Sequence, residues 1–527
     1  MLDLVRPTPY ACAMGTLSFT NDSEYPATPS GGRSTAPSIL ARPIPAGWLA
    51  GFVTAWLGST QFLLWRFLDC APLWAYPLGI ALLALLCIGI HKSMTPHGGP
   101  SPATLLISLG TAFLLLMLGG EGRFFYANID WQVRGAVLRD MGINPWPFVY
   151  TARDTPDVLR APIGMFLWPA LAFKAWGSRA ADIALLLQNS ALLGTLLALG
   201  STLFPTHRAR WVALAVVLAF SGLDALGHIL MRGGLADHLE GWAGLQYSST
   251  ITLAFWVPQH ALSGWIGALA FLLWRSDRLS LGGFLALLPL TALLSPLGLI
   301  GAMPFAALAG IETLLRRALR PSDIALPALA TLISLASLAY LGAADDAVGM
   351  RLIAPPPGQW AMFEVLEVLV YLIPLVFLVR TGRFGIATLA VAGLSLLILP
   401  FFQIGSSIDL MMRGSITALT ILVVMIADAL IAPSRVRLWL TVMLLIGSIT
   451  GLFEIARAVR HSPMPEIQCS FFKAWDQSFS DFPKDSYLAP LARMPAPIRP
   501  THPIHVSAVE PATCWDGHWY HPGEKEI

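Results

Sequence analysis

Three polar residues in an otherwise apolar chain are of the types that group transfer needs. Asp130, in the run Asn128-Ile-Asp130-Trp131-Gln-Val-Arg134, supplies a carboxylate that could take a proton from a hydroxyl. Arg413, in Ser406-Ser-Ile-Asp409-Leu-Met-Met-Arg413, supplies a guanidinium that can hold phosphate oxygens two at a time, with Asp409 one helical turn before it. His260 and its neighbour Gln259, just after Pro258, could bind a hydroxylated or phosphorylated group, and Trp256 and Tyr247 could stack on a sugar face. Trp131, adjoining Asp130, is placed with these substrate-binding residues.

Each of these also has a plainer reading. Asp130 could be a helix N-terminal acid favoured by the macrodipole, with Arg134 as its i,i+4 partner. Asp409 and Arg413 could form one surface salt bridge. The aromatics could belong to an interfacial belt above a polar helix start. Asp224, His228, Asp237 and His238 are near one another in sequence, but they do not complete a tight metal-ligand set. The sequence has no P-loop, GxSxG or HExxH motif.

The elements that must position these residues follow from composition. With 55% hydrophobic and 12% charged residues, the chain cannot form a soluble globule with a charged skin. A net charge of +2 over 527 residues, with no basic run interleaved with aromatics, excludes a nucleic-acid binder. About thirteen stretches approach the length and apolarity of a transmembrane helix, so the predicted class is an all-α, polytopic membrane helix bundle. Alternate connections are short and basic: Lys92; Arg208 and Arg210; Arg275 and Arg278; Arg316, Arg317 and Arg320; Arg380 and Arg383; Arg435 and Arg437. Cytoplasmic connections have such an excess, which predicts a cytoplasmic N-terminus and an outer C-terminal tail, with Asp130, His260 and Arg413 all on the outer face.

The expected organisation is a disordered cytoplasmic leader over 1–45 and N-terminal transmembrane helices over 46–119. An outer loop with interfacial helices over 120–181, a transmembrane bundle over 182–455 and a small outer tail over 456–527 complete it. The leader is rich in Ser, Thr, Pro and Gly and lacks hydrophobic period. The outer loop is far longer than a turn needs. Its residues Ile129, Val133, Ala136 and Val137 form one helical stripe, predicting an interfacial amphipathic helix, and Ala161 to Trp176 is a second stretch lying along or dipping into the interface. Cys469 and Cys514 both fall in the outer tail, where an oxidising compartment permits a disulfide that a poor core would gain from.

A long first loop with an Asp near its start, two interfacial helices and a surrounding helix bundle resemble the GT-C glycosyltransferases, membrane enzymes that use polyprenyl-phosphate-linked sugars. The segments around Asn128 to Trp131, Pro145 to Pro147, Phe255 to His260, Ser295 to Phe305 and Asp409 to Ile416 look more closely like a group of large, poorly characterised bacterial membrane proteins related to that superfamily. The resemblance covers roughly Gly119 to Phe453 and implies that Asp130 is the catalytic base. It implies a polyprenyl-phosphate sugar donor, a glycan or lipid acceptor, a membrane-lipid environment in the bacterial inner membrane, and a periplasmic C-terminus. No cofactor is called for, with a divalent metal as an option. The chain departs from the group in reading Gln132-Val133 where a Lys-His pair tends to follow the Asp-Trp, and its first two spans are additional. A transporter or flippase, or a non-catalytic partner in envelope polysaccharide assembly, are the rival readings; the matched broken helices of many transporters are not seen.

Overall fold

The computed structural model describes residues 42–95, 98–343, 349–378, 382–405, 407–506 and 510–520. Most of the expected leader, with Cys12, Arg380 and Ser406, lies outside them. The described chain is mostly helical. In order, its helices are α1 (Ala46–Leu68), α2 (Ala75–Ser93), α3 (Pro102–Leu118), α4 (Asp130–Ile143), α5 (Leu167–Trp176), α6 (Ser178–Ser201), α7 (His207–Ala219) and α8 (Asp224–Arg232). They continue with α9 (Thr250–Trp256), α10 (Pro258–Arg275), α11 (Leu281–Leu290), α12 (Pro296–Leu315), α13 (Ser322–Gly342), α14 (Pro357–Glu364), α15 (Val370–Val376) and α16 (Gly385–Ile398). The last are α17 (Asp409–Gly414), α18 (Ile416–Ile431), α19 (Arg437–Arg460) and α20 (Phe471–Ser478).

Eight of the described helical segments are long and apolar enough to cross a membrane: α2, α6, α7 with α8, α12, α13, α14 through α15, α17 with α18, and α19. Their outward residues are themselves apolar. Leu78, Leu85, Ile311, Leu335 and Leu445 are exposed on them, an arrangement that water would penalise and lipid does not. Several helix starts carry side-chain caps: Ser101 before Pro102, Thr206 before α7 and Ser295 before Pro296 each accept the backbone N–H three residues on.

The loop after α3 turns sharply through Gly120 and Gly122, whose positive φ values of 98° and 77° are left-handed and suit glycine. A Cβ on Gly120 would also stand 2.4 Å from the Ala127 side chain. The turn thus delivers Asn128 and α4 directly onto the bundle.

Helix α4 differs from the sequence expectation of an interfacial amphipathic helix. Gln132, Arg134 and Asp140 on its polar side are buried along with Trp131, Val133 and Val137. The cover is the tail: α20 packs on α4, the Phe471 N–H donates to Asp140 Oδ2 at 2.9 Å, and the Tyr150 hydroxyl donates to the same oxygen at 2.8 Å. Burial pushes the Asp140 carboxyl up to about 6, against the pull of those two donors. Period analysis of one helix cannot register a cover that arrives more than 300 residues later.

The tail and the outer loop share one sheet. Strands β1 (Phe148–Tyr150), β2 (Asp157–Leu159), β5 (Leu488–Pro490) and β6 (Ile504–Val506) pair in the order β5-β2-β1-β6, with β1 parallel to β6 and the other pairs antiparallel. Two further strands, β3 (Met350–Leu352) and β4 (Phe402–Ile404), pair antiparallel elsewhere. Cys469 and Cys514 are joined by a disulfide across 45 residues of sequence. Opening it by Cys469→Ser with Cys514→Ser should destabilise the tail by roughly 2–4 kcal/mol, from the loop entropy it restricts. Limited proteolysis checks this: an unchanged cleavage rate within 470–513 would show that the packing alone holds the tail.

Candidate functional site

Pro258 has no N–H to give and opens α10 at its first position, so the chain breaks between α9 and α10 at Val257. The break frees the carbonyls of Phe255 and Trp256, and the start of α4 takes them. Asn128 Nδ2 donates to Phe255 O at 3.0 Å, Trp131 Nε1 donates to the same oxygen at 2.8 Å, and Arg134 donates to Trp256 O. Asn128 Oδ1 also accepts the Asp130 N–H at 3.1 Å, fixing the first turn of α4. These bonds place Asp130 at the head of α10, where His260 lies.

The other half of the site arrives on α12 and α17. A Cβ on Gly301 would fall 2.1 Å from Gly414 O, so these two helices touch backbone to backbone. Ser295, the cap of α12, accepts the Gly298 N–H at 2.9 Å and is hydrogen-bonded to His260 Nδ1 at 2.7 Å. Arg413, at the end of α17, is paired with Asp409 at 2.6 Å, and Arg413 and Arg134 both act electrostatically on His260.

From the tail comes Tyr487, a residue that sequence reasoning passed over. Its hydroxyl meets Arg134, and it is within electrostatic reach of Asp130 and Arg413. Burial raises the Tyr487 phenol above its ordinary range, with Arg134 and Arg413 opposing and Asp130 reinforcing the rise. Asp130, Arg134, His260, Arg413 and Tyr487 are thus gathered from four separated stretches of sequence. Asp130 itself is ion-paired to Arg134 Nη2 at 2.6 Å and keeps 21% of its side chain exposed, whereas Arg134 keeps 2%. Beside His260, Gln259 is buried, and its Oε1 has no hydrogen-bond partner among the described residues.

No family model, curated protein or solved structure matches the chain.

The remaining expected site residues are placed elsewhere or are engaged. Trp131 is buried, its indole spent on Phe255. Tyr247 is buried against Phe363 with its hydroxyl bonded to Leu396 O, so its ring faces the helix core. Trp256 donates from Nε1 to Glu454 Oε2 at 2.8 Å, with the His238 ring 4.7 Å away and Arg457 at 5.5 Å. The Tyr247 hydroxyl and the Trp256 indole N–H are thus each engaged within the protein. Among the described residues no three His, Cys, Asp or Glu side chains come together as metal ligands. His228 bonds to Gly234 O at 2.7 Å, while Asp224 turns inward.

Asp224 belongs to a second polar group, which the sequence reading left incomplete. Its Oδ2 accepts from Ser221 at 2.6 Å and from Thr450 at 3.0 Å, and its carboxyl is within electrostatic reach of Glu367. Trp242 donates to Glu367 at 3.1 Å. Glu240, in the loop before α9, accepts the Ser249 N–H and Gln246 Nε2, both at 2.8 Å. Burial, followed by the Asp224 charge, pushes Glu240 up to about 7. His238 pairs with Glu454 at 2.9 Å, and Glu454 is also held by Arg457. Burial works against a charged His238, but the Glu454 hydrogen bond and charge outweigh it and raise its pKa. The signal available in the sequence was the placing of Glu367, Glu454 and Arg457 within apolar spans, where ionisable groups are costly and tend to mark function. Trp256 joins the two groups, its indole facing Glu454 and its carbonyl facing Arg134.

Glu121, at the entrance to the outer loop, is fully buried; Asn189 donates to Oε1 at 2.8 Å, and Oε2 has no partner among the described residues. Burial pushes it from 4.5 up to about 8. Between those values the folded protein holds a proton that the unfolded chain releases. Its contribution to stability therefore falls as pH rises through that window, and the loss is complete above about 8. Glu121→Gln should remove this slope. Melting curves from pH 5 to pH 9 check it, and parallel slopes in parent and variant would place the proton elsewhere.

Proposed function

We propose that the protein is a GT-C-type glycosyltransferase of the bacterial inner membrane. It moves a sugar from a polyprenyl-phosphate-linked donor to a glycan or lipid acceptor on the outer face. The observation that carries this reading is the gathering of Asp130, His260 and Arg413, from three distant stretches, at one polar group beside the loop and tail. In the proposed step the acceptor hydroxyl gives its proton to Asp130 while its oxygen bonds to the anomeric carbon. The bond from that carbon to the phosphate oxygen breaks, and the polyprenyl phosphate leaves with the electron pair. Arg413 balances the charge of the phosphate, exchanging part of its bond to Asp409 for it, and the unpaired Gln259 oxygen accepts from a sugar hydroxyl. Arg134 holds Asp130 in place through their 2.6 Å ion pair.

The topology belongs to the same proposal. The shorter apolar helices α3, α11 and α16, with α1 and α10, join the eight segments above to give the thirteen-span arrangement, N-terminus inside. A second reading, proton-coupled transport, is favoured by one observation: Asp224, Glu240 and Glu367 acting on one another inside the protein. Mass spectrometry of envelope glycans from cells with and without the protein, with purified protein in lipid discs assayed for release of polyprenyl phosphate, separates the two. A missing sugar together with donor turnover is expected. Unchanged glycans and an intact donor would end the glycosyltransferase reading.

A further inference from the structure

A cavity opens among α3, α6, α7, α10 and α18, and none of Asp130, Arg134, His260, Arg413 and Tyr487 lines it. Its walls are almost wholly apolar, with Leu196, Val217, Leu269 and Val423 among them, and its volume is about 180 Å³. On α3 the lining runs from Thr104 to Leu115, a rise of roughly 16 Å at 1.5 Å per residue. That is about half of a hydrocarbon core roughly 30 Å thick, or the depth of one leaflet.

One end of the cavity is basic. His207 and Arg210 line it, Arg278 lies close enough to Arg210 to repel it, and Arg383 lies within the same reach of Arg278. Arg210 Nε donates to Phe204 O at 3.1 Å, and Arg383 is paired with Asp428 at 3.0 Å while resting on the Phe204 and Phe384 rings. Asp428 offsets one of the three guanidinium charges, so a positive surplus stays at the mouth of an apolar slot. Water would fill neither requirement: the slot wants hydrocarbon and its mouth wants an anion.

We propose that this cavity holds an acyl chain of an anionic phospholipid, with the lipid phosphate at Arg210 and Arg278. The length fits a lipid of a single leaflet, and basic pockets between transmembrane helices suit anionic headgroups. Arg383, tied to Asp428 and to the Leu203 carbonyl, holds the mouth of the pocket in shape. The site does not depend on the transfer reaction proposed above.

The test is native mass spectrometry of the purified full-length protein, titrated separately with dioleoyl phosphatidylglycerol, dioleoyl phosphatidylcholine and inorganic phosphate. Phosphatidylglycerol should bind about 10- to 30-fold more tightly than phosphatidylcholine, the effect of two arginines near a lipid phosphate. Arg210→Gln with Arg278→Gln should bring the two lipids level, and Leu269→Trp, which fills the slot, should weaken both. Equal binding of the two lipids to the parent protein would overturn the proposal, as would undiminished phosphatidylglycerol preference in the double variant. Inorganic phosphate that competes fully with phosphatidylglycerol would show an ion site without a lipid slot, which also overturns it. Should the double variant fail to fold, the parent comparison and Leu269→Trp decide.

Discussion

Replacing Asp130 with Asn should lower sugar transfer by about 10²- to 10⁴-fold while the protein stays folded in the membrane, because the amide keeps the size and hydrogen bonding of the carboxylate but cannot accept the proton. The expectation rests on the proposed transfer reaction and is sharper than loss of activity alone. Arg134 would still donate to the Trp256 carbonyl, so the α4 attachment to the α9 break survives. Donor affinity, held by Arg413 in the proposal, should change little. The measurement is single-turnover transfer at saturating donor, alongside donor binding and a melting curve for each protein. Transfer at the parent rate would make Asp130 a helix-start acid whose purpose is its 2.6 Å bond to Arg134. A variant that both melts early and loses donor binding would likewise remove the catalytic assignment, because the carboxylate would then be holding the site together.

Arg457→Met should be the most destabilising single change among the buried charges, by about 3–5 kcal/mol, since it strands a carboxylate inside the protein. Arg457 and Glu454 keep only 1% and 2% of their side chains exposed. Glu454 also receives His238 and the Trp256 indole, so it cannot simply turn away to solvent. Adding Glu454→Gln should recover most of the loss, because a neutral amide in the same place has far less to lose. Thermal unfolding of the parent, both single variants and the double variant gives the cycle. A double variant as unstable as Arg457→Met would show that the guanidinium acts by packing on Trp256, not by charge.

Membrane character and the start of α10 were legible because each depends on short-range chemistry. Apolar runs of membrane-crossing length stand out in any window, and Pro258 marks a helix start wherever it falls. The polar side of α4 was misread because burial by α20 and by the tail is a long-range event: Gln132 bonds to Ser478, and Asp140 to Phe471. Tyr487 was invisible for the same reason. Nothing in Asp485-Ser486-Tyr487 hints that the ring reaches Arg134, because the approach depends on the pairing of β5 with β2. Glu367, by contrast, was there to be seen. An acid in an apolar span is a local anomaly, and only its neighbour Asp224 and the π-helical turn around it, Val365–Leu369, required the fold.

The sheet that joins β1 to β6 sets an order on biogenesis. Phe148 pairs with Ile504, the Trp519 indole caps the Ala127 carbonyl at 2.7 Å, and the Tyr126 hydroxyl reaches Tyr520 O at 3.0 Å. The loop bearing Asp130 therefore leaves the membrane early in synthesis but gains its cover only after the last helices have been inserted and the following chain has reached the same side. During that interval Arg134 and Asp140 stand uncovered, open to water or to a chaperone, and the nascent protein has its spans without the cover on α4. A ribosome stalled before residue 487 would leave a product that is membrane-embedded and lacks Tyr487 at the polar group.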